Sequence, residues 1–158
     1  MFRELTRIKQ KLSPEECKEV LRVSLRGVLA LNGEEGYPYA LPINFYYDED
    51  GGVIYFHSGK NGYKIDCIEK CDKACFTAID DGVRHKGEWW LTIRSVVAFG
   101  KVKIVTDQKT VEEVSYKLSK KFTQDDAYVA DEIKKYAPAT AILALYVEDL
   151  KGKRVREK

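Results

Sequence analysis

The sequence predicts one mainly β domain, a six-stranded antiparallel β-barrel with flanking helices. The chain of 158 residues lies near the commonest size of a single domain and can bury one sizeable core. Short apolar runs alternate with turns rich in glycine, asparagine and acidic residues, a pattern typical of hairpins. Helical spacing is confined to segments before the first of these runs and between later ones. We expect the domain to cover residues 1–150 and a basic tail to follow at 151–158.

The first predicted element is a short amphipathic helix that begins at Ser13. Ser13 can cap it, Pro14 suits the first turn, and Glu16 can close a capping box. Apolar residues then recur at helical spacing from Cys17 onward, and the helix ends before Gly27.

The six predicted strands cover residues 27–32, 37–47, 52–57, 74–79, 90–105 and 140–147. In the fifth strand the apolar alternation slips after Gly100, which predicts a bulge or a barrel corner there. Helices are predicted near 63–70, stopping close to Cys71, and at 107–122 and 126–136. A six-stranded barrel is too narrow to hold a ligand inside, so a ligand is expected on its outer wall or between subunits.

Charge and cysteine usage exclude several classes of protein. The net charge is +2, too small to indicate nucleic-acid binding, although the basic tail leaves that alternative open. No apolar run is long enough to cross a bilayer and the first residues lack a signal-peptide core, so a cytoplasmic protein is expected. Cys17, Cys67, Cys71 and Cys75 do not have the spacing of most metal motifs, and we predict reduced thiols with no disulfide and no metal site.

The segment 56–64 has the outline of an anion-binding site. It runs from the end of a strand through a two-glycine turn into a helix, whose first amides can bind a phosphate. Ser58, Lys60, Lys64 and His57 lie beside that turn. The alternative is a polar hairpin exit with two solvated lysines. No Walker A pattern is present, which disfavours nucleoside triphosphate hydrolysis.

Two further segments place unusual residues in strands. Pro38 and Pro42 remove amide donors from the same edge of one strand, and a flat heterocycle packed on Ile43 and Phe45 would fit there. The alternative is an edge strand protected by proline. Arg94 lies in the middle of an apolar strand, so its guanidinium must reach solvent, a carboxylate or a ligand phosphate.

Taken in order, these segments resemble the FMN-binding split β-barrel superfamily of pyridoxamine 5′-phosphate oxidase-like proteins, most closely its nitroimidazole-resistance branch. The resemblance spans nearly the whole chain and includes the runs 27–31, 39–45, 54–58, 62–64 and 94–100. It implies a homodimer with two FMN molecules in clefts at the subunit interface.

The resemblance also implies which residues bind the cofactor. The strand that lines the isoalloxazine carries Pro42, Ile43, Asn44 and Phe45; the next strand and turn supply Phe56, His57, Ser58, Gly62 and Lys64; and a second phosphate arm has Arg94, Ser95 and Val96. The C-terminal Arg/His substrate motif of true pyridoxamine 5′-phosphate oxidases has no counterpart here, so vitamin B6 oxidation is not expected.

The function that follows from the resemblance is a flavin-dependent oxidoreductase passing electrons from NAD(P)H to a small acceptor such as a nitroaromatic. The flavin would do the redox chemistry, so no catalytic residue is assigned. His57 is either a proton donor or only a cofactor contact. The alternative from another class is a non-catalytic protein that binds flavin, haem or a deazaflavin for storage or sensing.

Overall fold

The computed structural model describes residues 1–157 and shows a curled antiparallel sheet of seven strands with four helices around it. The strands are β1 (Arg26–Asn32), β2 (Pro38–Asn44), β3 (Tyr46–Asp48), β4 (Val53–Gly59), β5 (Lys73–Ile79), β6 (Thr92–Val105) and β7 (Thr140–Arg156). Their order in the sheet is β2-β1-β5-β6-β7-β4-β3. The helices are α1 (Pro14–Val23), α2 (Tyr63–Lys70), α3 (Gln108–Ser119) and α4 (Asp126–Tyr136).

Local signals in the sequence account for the helix ends. Ser13 accepts a hydrogen bond from the Glu16 amide, and the Glu16 side chain accepts one from the Ser13 amide, which completes the predicted capping box. Asp107 and Asp125 cap α3 and α4 in a similar way. The helix expected to stop near Cys71 ends at Lys70.

The sheet differs from the predicted one in two places. The predicted second strand divides at Phe45 into β2 and the short β3, which gives seven strands instead of six. The last strand does not end at Val147. It continues to Arg156 and pairs with β6 along its length, so residues 151–156 belong to the sheet and the expected separate basic tail at 151–158 is corrected to that extent.

The predicted irregularity at Gly100 is confirmed. The register between β6 and β7 shifts between Phe99 and Gly100, as a β-bulge requires. A Cβ atom at Gly100 would lie 2.0 Å from the carbonyl oxygen of Tyr146. Glycine is therefore needed here because the neighbouring backbone approaches too closely for any side chain.

The inside of the curled sheet is filled by side chains. Phe45, Phe56 and Phe76 are fully buried there, with ring centroids of Phe45 and Phe56 at 4.8 Å and 5.2 Å from that of Phe76. A smaller apolar cluster lies between the outer side of the sheet and the helices α3 and α4. This filling agrees with the expectation that a ligand binds outside the barrel.

Within residues 1–157, no helix is long and apolar enough to span a membrane. The four cysteines are free thiols.

Candidate functional site

Among residues 1–157, the strand β2 forms one edge of the sheet and pairs with β1 alone. In this register Pro38 lies opposite Asn32 and Pro42 opposite Val28. Prolines are tolerated in an edge strand where their backbone nitrogen points away from the neighbouring strand. The backbone nitrogens of alternate residues in a strand point to the same side, so those of Pro38 and Pro42 share one side. The free edge of β2 therefore presents backbone carbonyls but lacks two amide donors.

His57 projects from β4 toward the helices. Side chains alternate along the strand, so His57 faces α3, whereas the buried Ser58 points to the opposite side. The imidazole Nε2 of His57 lies 2.9 Å from the hydroxyl oxygen of Ser115 on α3. Burial lowers the pKa of His57 below its ordinary value of 6.5, which favours a neutral ring.

An open cleft of about 390 Å³ brings two of the predicted segments together. It is lined by four of the predicted site residues, Pro42, Ile43 and Asn44 from β2 and His57 from β4, and also by Arg26 and Leu118. Arg26 pairs with Asn44 across β1 and β2 and contributes a positive charge. The cleft can hold a flat ligand against the free edge of β2.

The predicted anion-binding turn lies apart from this cleft. Gly62 immediately precedes α2 as its N-cap residue and has a positive φ of 114°, a conformation that favours glycine. Lys64 is half-buried in the first turn of α2, and burial lowers its pKa from the ordinary value of 10.5. The ring of the neighbouring Tyr63 lies 4.8 Å from that of Tyr39. The turn is thus close to the start of β2, whereas the cleft is near its end.

Arg94 is engaged by carboxylates. Its Nε donates to Oδ2 of Asp80 at 2.8 Å and its Nη1 to Oε2 of Glu19 at 2.6 Å. These hydrogen bonds raise the pKa of Arg94. The sequence left solvent, a carboxylate or a ligand phosphate as possible partners of Arg94, and the structure shows two carboxylates.

The other predicted site residues do not line the cleft. The side chains of Phe45, Phe56 and Val96 are fully buried in the barrel core, so within one chain only their backbone atoms remain for a ligand. Ser95 is half-buried in β6, opposite Lys153 and Ile79.

The contribution of the helix α3 and of the turn that follows it to the site was not predicted. Ser115 and Leu118 face the site, and the ammonium group of Lys121 donates to the carbonyl oxygens of Ser24 at 2.7 Å and Phe45 at 3.0 Å. Burial lowers the pKa of Lys121 to about 8. The helix itself was predicted, but no local pattern indicates which strand it packs against.

Structural comparison identifies similar solved folds. A candidate 5-nitroimidazole antibiotic resistance protein from Bacteroides thetaiotaomicron has a TM-score of 0.74 at 19% identity, covering 92% of this chain and 87% of its own. A flavocytochrome from Azotobacter vinelandii has a TM-score of 0.74 at 20% identity, covering 95% of this chain and 72% of its own. An FAD and haem binding protein from Mycobacterium smegmatis has a TM-score of 0.71 at 21% identity, covering 95% and 74%.

Sequence comparison gives the family. No relative was found among curated proteins. The family model described as pyridoxamine 5′-phosphate oxidase matches residues 13–154, which include all seven strands apart from the end of β7. The order of the motifs and the split-barrel architecture agree with that match. The chain therefore belongs to the pyridoxamine 5′-phosphate oxidase family.

Proposed function

We propose that this chain is an FMN-dependent oxidoreductase that passes electrons from NADH or NADPH to a small acceptor such as a nitroaromatic. The observation that carries the proposal is the cleft between the free edge of β2 and His57, outside a barrel whose interior is full. Two proteins of similar fold, a flavocytochrome and an FAD and haem binding protein, support flavin as the class of coenzyme.

The chemistry of the cleft fits the isoalloxazine ring. This ring is flat, and one of its edges carries carbonyl acceptors and an N–H donor. It can therefore form hydrogen bonds with backbone groups on the free edge of β2 near Pro42 while it packs on Ile43. Arg26 and the neutral imidazole of His57 are polar groups that orient a ligand.

The turn before α2 fits the phosphate of the same coenzyme. Lys64 makes no ion pair with any of residues 1–157, and its partial burial disfavours an unpaired charge. A phosphate beside it would offset that cost, helped by the free amides of the helix start. Because the cleft and the turn lie near opposite ends of β2, an elongated ligand along this edge would contact both.

The proposal includes a homodimer that covers the outer face of the sheet. Ile79, Val97 and Phe99 are large apolar side chains on neighbouring strands β5 and β6, and each remains exposed. The small side chains of Ala30 and Ala40 continue this face toward β2. A second copy placed here would bury the apolar surface and close the cleft from outside.

When bound, the flavin supplies the transfer of electrons. The chain's own residues would orient the ring against β2, balance the phosphate charge through Lys64, and present His57, which is hydrogen-bonded to Ser115, at the wall of the cleft. No side chain needs to act as a nucleophile, and none is assigned as catalytic.

The test is to load the purified protein with FMN and mix it with NADH or NADPH in the absence of oxygen. We expect the visible absorbance of the flavin to bleach with at least one of the two donors and to recover when a nitroaromatic compound is added. A bound flavin that stays oxidised with both donors would contradict the reductase and support a binding or storage protein. A haem spectrum from the purified protein would point to the haem-binding alternative.

A further inference from the structure

A second cavity, of about 300 Å³, has His57 in its wall, as the cleft does. It is lined by residues of α3, α4 and the start of β7, and it shares His57 and Leu118 with the cleft. We call it the helix cavity. Of the predicted site residues, only His57 lines this cavity, and binding of the proposed coenzyme does not explain it.

The volume of the helix cavity limits its ligand to a small molecule. An apolar cavity of about 150 Å³ can hold one benzene molecule, and sites for larger organic ligands extend to about 1,000 Å³. A cavity of about 300 Å³ therefore has room for a one-ring compound with a short substituent. A complete FMN, with its three fused rings and ribityl phosphate, does not fit.

The walls of the helix cavity are largely apolar, with one polar pair between them. Leu118, Val129 and Ile133 supply aliphatic surface. His57 and Ser115 form a hydrogen-bonded pair at 2.9 Å, and Ser115 is buried. An imidazole and a hydroxyl that bond to each other keep further donor or acceptor capacity, so a ligand can direct a hydrogen-bonding group at this pair and apolar atoms at the rest.

The mouth of the helix cavity carries two tyrosines and one carboxylate. Tyr128, Glu132 and Tyr136 are four residues apart on α4 and thus share one helix face. Both tyrosines are exposed, and Glu132 makes no ion pair with any described residue up to 157. The rings suit a flat ligand, while the carboxylate disfavours an anion.

We propose that the helix cavity binds an uncharged one-ring aromatic compound, with its polar group on the His57–Ser115 pair and its ring between Leu118 and the α4 tyrosines. This site goes beyond the proposed function and does not require a flavin. In the flavin-loaded protein, His57 and Leu118 would border both ligands, because they line the cleft as well as the helix cavity.

The test is calorimetric titration of the protein, with and without added FMN, using benzamide as an uncharged probe and benzoate as its anionic match. We expect benzamide to bind in both preparations and benzoate to bind at least tenfold more weakly. Ser119 is half-buried and lines the cavity, so Ser119→Phe should fill it and abolish benzamide binding. Glu112→Phe, on the exposed side of the same helix, is the matched control and should bind benzamide normally.

Two results would overturn the proposal: no benzamide binding by the wild-type protein, or unchanged binding by a folded Ser119→Phe variant. Should Ser119→Phe not fold, Glu132→Gln replaces it as the deciding variant. Its loss of charge should reduce the difference between benzoate and benzamide, and an unchanged difference would contradict the proposed orientation. Benzamide binding without any FMN binding would reject the proposed function alone, and FMN binding without benzamide binding would reject the helix cavity alone.

Discussion

The ammonium group of Lys121 lies 3.0 Å from the carbonyl oxygen of Phe45 and 4.1 Å from the centre of the same residue's ring. Phe45 is the residue that separates β2 from β3. A second hydrogen bond from Lys121 reaches the carbonyl oxygen of Ser24, two residues before β1. One lysine after α3 thus fixes the end of the edge strand that lines the cleft.

Replacing Lys121 with Met should destabilise the protein. The variant keeps the apolar stem but removes the charged donor from two carbonyl oxygens, at a cost of about 2 kcal/mol. Urea denaturation measures the difference. Lys109→Met, on the exposed surface of α3, is the control and should change the free energy of unfolding by less than about 0.5 kcal/mol. Equal stability of the two variants would show that Lys121 does not hold the strand.

The stability of the protein should fall as the pH drops below about 6.5, in part because of His57. Burial lowers the pKa of His57 in the folded state, so the unfolded chain binds a proton more readily. The contribution of neutral His57 to the free energy of unfolding is therefore fully present above the unfolded pKa of about 6.5. It is lost as the pH falls toward the lower pKa of the folded state.

Thermal unfolding between about pH 7.5 and pH 5 measures this effect, and His57→Asn should flatten the fall in melting temperature. His85 is exposed, and His85→Asn serves as the control that keeps the wild-type dependence. If both variants lose stability with pH as steeply as the wild type, His57 is not the group responsible.

Gly100→Ala should strongly impair folding. The new Cβ would lie 2.0 Å from the carbonyl oxygen of Tyr146, so the backbone of β6 or β7 must move. We expect a loss of about 3 kcal/mol or more. At Gly59 the nearest atom to a Cβ is 3.9 Å away, so Gly59→Ala should be nearly neutral. A Gly100→Ala variant as stable as this control would show that the close approach of the two strands at the bulge does not require glycine.

Local sequence signals were sufficient for much of the fold. The capping box at Ser13 and the helical spacing of residues 126–136 each depend on neighbours within a few positions, and both were predicted. The continuation of β7 to Arg156 was not, because its charged residues resemble a solvated terminus. They become a strand only through pairing with the distant β6.

The part of the candidate site that could be predicted lies on strands that carry residues unusual in a strand. Pro42 and His57 were singled out by their own segments, and the structure places both in one cleft. The partners of Arg94 were not predictable, because Asp80 and Glu19 lie 14 and 75 residues away in the sequence. The role of Ser115 likewise depends on how α3 packs on the sheet.

Lys64→Ala should weaken FMN binding and leave the fold intact. Loss of one charge-assisted contact to the phosphate corresponds to about 1.5 to 3 kcal/mol, or roughly a 10- to 100-fold weaker affinity. Fluorescence titration with FMN measures it. Lys70→Ala at the other end of α2 is the control and should bind FMN as the wild type does. Equal affinities in the two variants would mean that the phosphate is held elsewhere.

The proposed function requires FMN to bind along the β2 edge between two copies of this chain. The most direct measurement is size-exclusion chromatography with light scattering and visible absorbance, after the protein has been incubated with excess FMN. We expect a two-chain particle that carries one flavin per chain through the column. A colourless single chain would contradict it.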